Sequence, residues 1–316
     1  MKNSEQNKSN VIKLSILREN RLRIVLVLNI IIVITQVIFG LISRSLGLLA
    51  DAGHNLTDVG AIVLSIIAIR LMRRDPTEKR PFGYHRAGVL ATQANALVLI
   101  FVTALLTYEG IHRLFNPENV KGALVLIVAL LGAFINISCV FILREKNSEI
   151  HNHSHKHKLG TCDMNMRSAI IHLLADGLFS LGVGIAGLII FLTNNFYWLD
   201  PAISLVISLY IAYEAVKMII SANEILLEST PSNIDLDEIA KLINVDEGVD
   251  EVHDLHVWSL SSDVIALSAH LVIEGHRTLE DAQDVGKRIK SLLTEKYNIS
   301  HLTLELECEN CIINKD

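Results

Sequence analysis

Imidazole and carboxylate side chains interrupt two of the long apolar stretches of the sequence. His54 and Asp58 lie in one stretch and His172 and Asp176 in another, and each pair is separated by four residues. On a helix this spacing puts both members of a pair on one face, about one turn apart. Charged groups are costly in hydrocarbon, so residues of this kind are functional candidates by default.

Two such faces brought together offer two imidazole nitrogens and two carboxylate oxygens, a tetrahedral set that suits zinc. Two carboxylates also neutralise one divalent cation at a depth where an unbalanced charge is expensive. The alternative is that each side chain satisfies a hydrogen bond between helices and binds nothing, which the duplicated motif disfavours. The residues of the predicted metal site are His54, Asp58, His172 and Asp176.

The same four residues predict a way to release the ion. Without metal, two carboxylates would lie close together in a low dielectric, which strengthens their affinity for protons. Free imidazole titrates at about pH 6.5, so a more acidic exterior would protonate the site, release the metal and send protons inward. Asp51 lies one turn before His54. It fits a ligand role, a packing role or a place on a water-exposed pathway.

The elements that must position these residues are membrane helices. The chain is 51% hydrophobic and only 5% aromatic, which is more apolar than an ordinary soluble domain. A bilayer core of about 30 Å needs roughly 20 mostly apolar residues per spanning helix. Six stretches qualify, and they run approximately from Ile24 to Ser43, Leu46 to Ile69, Ala87 to Thr107, Ala123 to Leu143, Ser168 to Thr193 and Pro201 to Ile220.

Basic residues, which favour cytoplasmic loops, indicate the orientation of these helices. They cluster before the first helix, in the loop between the second and third, and in the loop between the fourth and fifth. Both termini and these two loops are therefore expected in the cytoplasm. The polar start of the chain lacks a cleavable signal pattern, so the first apolar run is expected to remain as an anchor. The net charge of -6 gives no reason to expect nucleic acid as a partner.

Residues after about Ile225 have the periodicity of a small α+β domain. A helix is predicted from Leu236 to Asn244, with Ser232 as a possible cap, and a second helix opens with a capping box at Thr278 and Asp281. Strand-like runs from Val252 to Leu260, Val264 to Ile273 and His301 to Glu307 complete an αββαβ order. This order predicts a ferredoxin-like sheet with helices on one face. Simple alternation puts His253 and His256 on opposite strand faces.

The predicted organisation has three parts: a polar cytoplasmic N-terminus over residues 1–20, a six-helix transmembrane transport domain over 21–222, and a cytoplasmic metal-binding, dimerising domain over 223–316. The cytoplasmic loop at 144–167 is rich in histidine. Its composition is typical of a loose metal buffer, and the alternative is a solvated linker that happens to contain histidine. The candidate buffering residues are His151, His153, His155 and His157.

Several motifs carry a resemblance to a known family. They include LLADAGHNLTDV from Leu48, HLLADGLFSLGV from His172 and HDLHVWSL from His253. With these motifs, nearly the whole chain after the polar N-terminus resembles the cation diffusion facilitator family, particularly its zinc-exporting branch. The resemblance implies that the four predicted ligands form the transport site, that the mechanism is metal/proton antiport by alternating access, and that the working unit is a homodimer. The histidine at position 54 implies zinc in preference to manganese.

The resemblance also implies roles outside the membrane helices. His253, His270 and Glu307 match positions that bind zinc at the dimer interface, and Cys308 with Cys311 is similar to a C-terminal pair of some zinc exporters. The alternative for this group is a set of exposed polar residues on a sheet edge. Because these residues are expected in the cytosol, reduced thiols and metal ligation are expected rather than a disulfide. Arg86 and Glu228 resemble a charge interlock at the hinge into the cytoplasmic domain, and the basic loop from Thr77 to Tyr84 is expected to hold no metal.

The sequence therefore predicts a homodimeric zinc/proton antiporter in a lipid bilayer, with zinc as substrate and regulatory ligand and with no organic cofactor. Short loops favour a bacterial plasma membrane. Two other functions compete with this one. An intramembrane metalloenzyme is disfavoured because the chain has no HExxH helix or nucleophile partner, so no enzyme activity is expected. A membrane metal sensor would bind zinc without flux, and it leaves the paired motifs without a purpose.

Overall fold

The computed structural model of the protein describes residues 24–72, 74–144, 160–261, 264–275 and 278–308, without the side chains at 65, 142–144, 160–170 and 172. Six helices in this part of the chain are long and apolar enough to cross a membrane, as the sequence predicted. Their bounds are α1 Ile24–Ser43, α2 Leu46–Met72, α3 Ala87–Phe115, α4 Gly122–Arg144, α5 Gly160–Thr193 and α6 Leu199–Leu226. Most of them extend beyond the predicted apolar runs, because hydropathy locates the part in hydrocarbon rather than the helix ends.

The chain forms two compact units. One comprises Met1–Val63 and Asn95–Val216, and the other comprises Leu64–Ala94 and Lys217–Asp316. The first contains the intramembrane histidine and aspartates of α2 and α5. The second contains the basic loop between α2 and α3 together with the whole C-terminal α+β domain. The domain boundaries predicted from the sequence stay a prediction.

Helices α4 and α5 pack at close range through glycine. A Cβ atom on Gly187 would lie 2.8 Å from the backbone nitrogen of Leu126, and one on Gly122 would lie 2.6 Å from the carbonyl oxygen of Gly187. Real side chains do not tolerate such distances, so the two backbones can approach only because these positions carry no side chain. Small residues serve the same purpose at many membrane helix interfaces.

The N-terminus of α2 is capped by a carboxylate from α6. Asp200 accepts hydrogen bonds from the Ser45 hydroxyl at 2.5 Å and from the backbone N–H groups of Leu46 at 2.7 Å and Gly47 at 3.3 Å. Ser45 also accepts a hydrogen bond from the N–H of Leu48. These bonds satisfy N–H groups that a helix start leaves without partners, and the negative charge suits the positive end of the helix dipole.

The C-terminal domain has the predicted αββαβ order. It consists of α7 Leu236–Asn244, β1 Val249–Ser261, β2 Val264–Ile273, α8 Leu279–Tyr297 and β3 Ile299–Cys308. The sheet order is β1-β2-β3, with β1 antiparallel and β3 parallel to the central β2. One sheet face shares a hydrophobic core with both helices. The fully buried side chains of that core include Ile239, Ile243, Leu271, Val285, Ile289, Leu293 and Ile299.

The helix boundaries of this domain follow from local capping. The predicted box at α8 is present, since the Thr278 side chain accepts from the N–H of Asp281 and the Asp281 side chain accepts from the N–H of Thr278. The predicted Ser232 cap of α7 is wrong. Asp235 is the N-cap, and its carboxylate accepts from the N–H groups of Asp237 and Glu238. A carboxylate immediately before the helix suits that position better than a serine three residues earlier.

A β-bulge in β1 changes which histidines share a face. His253 pairs with His270 and His256 pairs with Ser268, so three residues on β1 span two on β2. Asp254 lies in the bulge and has a left-handed backbone conformation with φ of 48°. Ser268 and His270 are on one face, so His256 lies on the same face as His253. The expectation that the two histidines face opposite ways is therefore wrong.

Candidate metal centre

Helices α2 and α5 bring three of the four predicted transport ligands together. Nε2 of His54 lies 3.0 Å from Oδ1 of Asp176 and 4.0 Å from Oδ2 of Asp58. One ligand atom from each residue lies within 4.8 Å of the others, a separation that one ion could bridge. His54 and Asp176 are buried, whereas the Asp58 side chain is 32% exposed. The group thus has two buried ligands and one that reaches a more open side.

The fourth predicted ligand, His172, lies on α5 one turn before Asp176. Its side chain lies outside the described residues. The helix places its backbone on the same face as Asp176, since the two are four residues apart. Its part in the site stays a prediction.

Aromatic rings border the site. The Phe179 ring meets the His54 imidazole edge to face at 6.4 Å between centroids, and Tyr210 of α6 packs on Phe179 at 4.9 Å. The Thr57 hydroxyl donates to the His54 backbone carbonyl at 2.6 Å. The His54 imidazole beside these rings is buried, and burial strengthens electrostatic interactions at its nitrogen.

Asp51 is fully buried but does not join the ligand group. Its Oδ2 accepts hydrogen bonds from Gln36 Nε2 and Ser180 Oγ, both at 2.6 Å. Asn55 in turn donates to Gln36 Oε1 at 3.1 Å. Of the roles left open for Asp51, these contacts fit the packing role. Gln36 and Ser180 were not singled out from the sequence, although a glutamine inside an apolar run was a usable signal.

A second cluster lies on the open face of the C-terminal sheet. Glu307 of β3 contacts His253 Nε2 through Oε2 at 3.0 Å and His270 Nδ1 through Oε1 at 2.9 Å. The two imidazole rings lie 5.2 Å apart, and the three residues offer ligand atoms close enough to share one ion. Burial acts to raise the pKa of Glu307, but its hydrogen bonds with His253 and His270 outweigh this and hold the pKa below the ordinary value.

Further acidic groups surround this cluster. His270 Nε2 lies 3.5 Å from both Asp254 Oδ2 and Glu305 Oε2. Asp254 Oδ1 also contacts His256 Nε2 at 2.7 Å. Asp254 was not predicted as a site residue, because its position depends on the bulge that it forms.

Comparisons with known proteins place this architecture in a family. Residues 22–227 match the cation efflux transmembrane domain, and residues 231–309 match the cation efflux protein cytoplasmic domain. The chain belongs to the cation efflux family. These are the cation diffusion facilitators indicated by the motifs, in their zinc-exporting branch. Members of this family are multi-pass metal cation efflux transporters, so the intramembrane metalloenzyme is excluded.

Similar full-length proteins come from several bacteria. The metal cation efflux system protein CzcD of Cupriavidus metallidurans is 33% identical over 93% of this chain and 88% of its own. The zinc transporter ZitB of Yersinia pestis is 33% identical over 92% of this chain and 88% of its own. A cadmium, cobalt and zinc/H(+)-K(+) antiporter of Bacillus subtilis is 30% identical over 87% of this chain and 85% of its own.

A solved structure is also similar to part of the chain. It is titled the metal-bound C-terminal domain of the CzcD transporter from Cupriavidus metallidurans and is 35% identical. The match covers 23% of this chain and 99% of that chain, with a TM-score of 0.22.

The structure shows the remaining predicted site residues of this cation efflux protein only in part. The Arg86 and Glu228 side chains form a hydrogen-bonded ion pair at 2.5 Å, the contact that the resemblance implied. Cys308 is disulfide-bonded, in contrast to the expected reduced thiol, and its partner is not among the side chains that the structure describes. A sulfur in a disulfide is not a thiolate ligand. Cys311 and the four loop histidines lie outside the described residues.

Proposed function

We propose that this protein exports zinc from the cytoplasm as a metal/proton antiporter that works by alternating access. The observation that carries the proposal is the convergence of His54, Asp58 and Asp176 from α2 and α5, with ligand atoms within 4.8 Å of one another. Family membership already makes the protein a metal cation efflux transporter. The ligand group supports the finer assignment of where the ion binds, with His172 as the expected fourth ligand.

The chemistry of the ligands favours zinc. An imidazole nitrogen and two carboxylate oxygens form most of a tetrahedral set, which zinc accepts. The carboxylates supply the two negative charges that balance a divalent cation away from bulk water. Relatives are named as a zinc transporter and as an antiporter of cadmium, cobalt and zinc, which supports zinc within a group of similar ions.

The geometry also supports exchange with protons. Nε2 of His54 and Oδ1 of Asp176 are at hydrogen-bond distance, so a proton shared between them would compete with a metal for the same atoms. A metal ion requires the imidazole nitrogen and the carboxylates in deprotonated form, and loading therefore releases protons. The name of the Bacillus subtilis relative includes H(+) exchange, which supports the same coupling.

The open face of the C-terminal sheet supports a regulatory zinc site of His253, His270 and Glu307. We propose that this domain is cytoplasmic and joins two protomers in a homodimer, in line with its match to the family's cytoplasmic domain. Zinc there would tighten the dimer and bias the helices toward transport. Buffering of metal by the loop histidines is part of the same proposal.

The orientation follows from the distribution of basic residues rather than from a contact. We infer that both termini are cytoplasmic and that the protein spans a bacterial plasma membrane, in three parts over 1–20, 21–222 and 223–316. The basic residues of the loop between α2 and α3 support this inference, since such residues favour cytoplasmic loops. Cysteine accessibility to a membrane-impermeant reagent in intact cells measures it directly.

Zinc flux tests the proposal. The parent protein in proteoliposomes should move zinc when a pH gradient is imposed, and Asp58→Ala and Asp176→Ala should abolish that flux. Asp75→Ala, which changes an exposed acidic residue in the loop after α2, serves as the matched control and should keep parent flux. Flux that ignores the gradient contradicts antiport, and parent-like flux in both site variants contradicts the site. Zinc binding without any flux would identify a metal sensor.

A further inference from the structure

Asp51 has an oxygen atom without a partner inside the membrane domain. Both of its hydrogen bonds, from Gln36 and Ser180, reach Oδ2, and Oδ1 is buried with no hydrogen-bond partner. No lysine or arginine among the described side chains forms an ion pair with it. An ionised carboxylate with a bare oxygen and no counter-charge is costly in such a place. A protonated carboxyl group has no net charge to bury.

The surroundings of Asp51 are fixed and polar. Gln36 presents its amide hydrogens to Asp51 because its carbonyl oxygen accepts from Asn55. On α4 a Cβ atom at Gly132 would lie 3.2 Å from Gln36 Nε2 and 3.4 Å from Ser180 Oγ, so the glycine leaves room for these groups. The result is a small polar pocket between α1, α2, α4 and α5, distinct from the ligand group of His54, Asp58 and Asp176.

We propose that Asp51 is a separate proton-binding site of the transport cycle, which holds a proton on Oδ1 when the metal site is empty and releases it when a divalent cation binds. The inference rests on the proposed metal/proton antiport. In the step, the carboxylic acid O–H bond breaks, the proton leaves to water and the carboxylate remains. No electron is transferred.

The coupling is electrostatic. Asp51 precedes His54 by three residues, a rise of about 4.5 Å along α2. The titratable groups that act on Asp51 electrostatically are His54 on its own helix and Asp176 on α5, while α1 presents the neutral Gln36 and Gly132 of α4 packs against Gln36. The side chain of His172 lies outside the described residues. A divalent cation at the ligand group attracts a nearby carboxylate and so favours loss of the Asp51 proton.

Linkage makes this relationship reciprocal: a proton on Asp51 weakens metal binding by the same factor by which metal weakens proton binding. Asp51 would therefore help an acidic compartment to expel the ion without touching it. Asp51→Asn keeps the shape of a neutral Asp51 but cannot lose the proton. The variant separates proton binding from packing.

The test counts protons by calorimetry. Full-length protein in detergent is titrated with zinc in buffers of different protonation enthalpy, with His270→Ala in every arm to remove the sheet cluster. Asp51→Asn should release about one proton fewer per zinc than the parent, and its zinc affinity should change about tenfold less per pH unit. The control is Asp75→Asn, which removes an exposed carboxylate in the loop after α2. It should release the parental number of protons.

Infrared difference spectra give a readout that needs no substitution. The metal-free parent should show the carbonyl band of a protonated carboxylic acid, zinc should abolish it, and Asp51→Asn should lack it. An unchanged proton count in Asp51→Asn, or no zinc-sensitive band in the parent, overturns the proposal. If the parent itself releases no protons, antiport fails as well. If the parent releases protons and Asp51→Asn releases the same number, only the role of Asp51 fails.

Discussion

Nε2 of His54 lies 3.0 Å from Oδ1 of Asp176, although 122 residues separate the two along the chain. The contact joins α2 to α5 at the level of the ligand group. A slide of one helix turn between them, about 5 Å, would separate these atoms beyond the reach of one ion. Metal binding at the proposed transport site is therefore expected to depend on the relative position of the two helices.

Replacing His54 with aspartate should change which ion the site prefers. His54→Asp exchanges a nitrogen ligand for a carboxylate, which can bind through two oxygens and accommodate a larger ion. The cadmium-to-zinc ratio of flux into proteoliposomes should rise. His112→Asp, which alters an exposed histidine at the end of α3, should leave the ratio at the parental value. An unchanged ratio in His54→Asp would count against His54 as the selecting ligand.

Replacing Gly187 with alanine should destabilise the packing of α4 against α5. A methyl group there would lie 2.8 Å from the Leu126 backbone nitrogen, so Gly187→Ala forces the helices apart. Overpacking of this kind typically costs about 1–3 kcal/mol. Thermal unfolding in detergent should show a lower midpoint for Gly187→Ala. Gly182→Ala on the same helix meets no atom within 4 Å and is the control. Equal midpoints in the two variants would contradict the packing shown.

The bulge at Asp254 should matter for zinc binding on the sheet. Asp254 has a φ of 48°, a conformation that a β-branched residue adopts only with strain of about 1–3 kcal/mol. Asp254→Val should therefore weaken zinc binding by the cluster about tenfold or more. Asp254→Asn tolerates the backbone conformation and should lose less. Calorimetry on an Asp176→Ala background isolates the sheet cluster. Equal affinities in the two variants would show that the bulge does not position His253 and His270.

Reversing the charges of Arg86 and Glu228, singly and together, should show whether their ion pair matters for transport. The side chains are 38% and 58% exposed, so the pair itself contributes no more than about 1 kcal/mol to stability. Arg86→Glu or Glu228→Arg alone should reduce zinc flux, because each puts two like charges in contact. The double variant restores opposite charges and should recover most of the flux. If the double variant is no better than the single ones, the contact is incidental to transport.

An ion pair between α7 and α8 should make local stability depend on pH. The hydrogen bond from Lys296 lowers the pKa of Glu238 below its ordinary value of 4.5. A carboxyl group with a lowered pKa stabilises the fold above its unfolded-state pKa, and that contribution is lost as the pH falls through the folded-state pKa. Lys296→Met should therefore speed amide hydrogen exchange in α7 at neutral pH.

The difference between Lys296→Met and the parent should shrink as the pH falls below 4.5 toward the lowered pKa of Glu238. Lys287→Met is the control, since among the described side chains Lys287 pairs with Asp284 of the same helix. A difference that persists unchanged in acid would contradict the role of the Glu238 carboxylate.

Local patterns were enough to predict much of this structure. Thr278 and Asp281 fixed the start of α8 because a capping box acts within four residues. The four-residue spacing of His54 and Asp58 likewise put them on one face.

Other features depend on distant partners or on backbone irregularity. His256 was placed on the wrong face because alternation assumes a regular strand, and Asp254 breaks it. The bond from Gln36 to Asp51 joins two helices whose relative rotation no local pattern gives. The hydrogen-bond partners of Asp200 lie more than 150 residues earlier in the chain, so no local pattern indicates them.

The carboxylate of Asp200 holds a hydroxyl and two peptide groups at the opening of α2. These hydrogen bonds resist separation of the two helix ends, because a small displacement would leave a buried carboxylate and two amide hydrogens without partners. The ends of α2 and α6 that meet at Asp200 are consequently expected to move as one rigid body. A rocking motion that exposes His54 first to one side of the bilayer and then to the other should therefore move α6 together with α2, with the hydrogen bonds of Asp200 as the pivot.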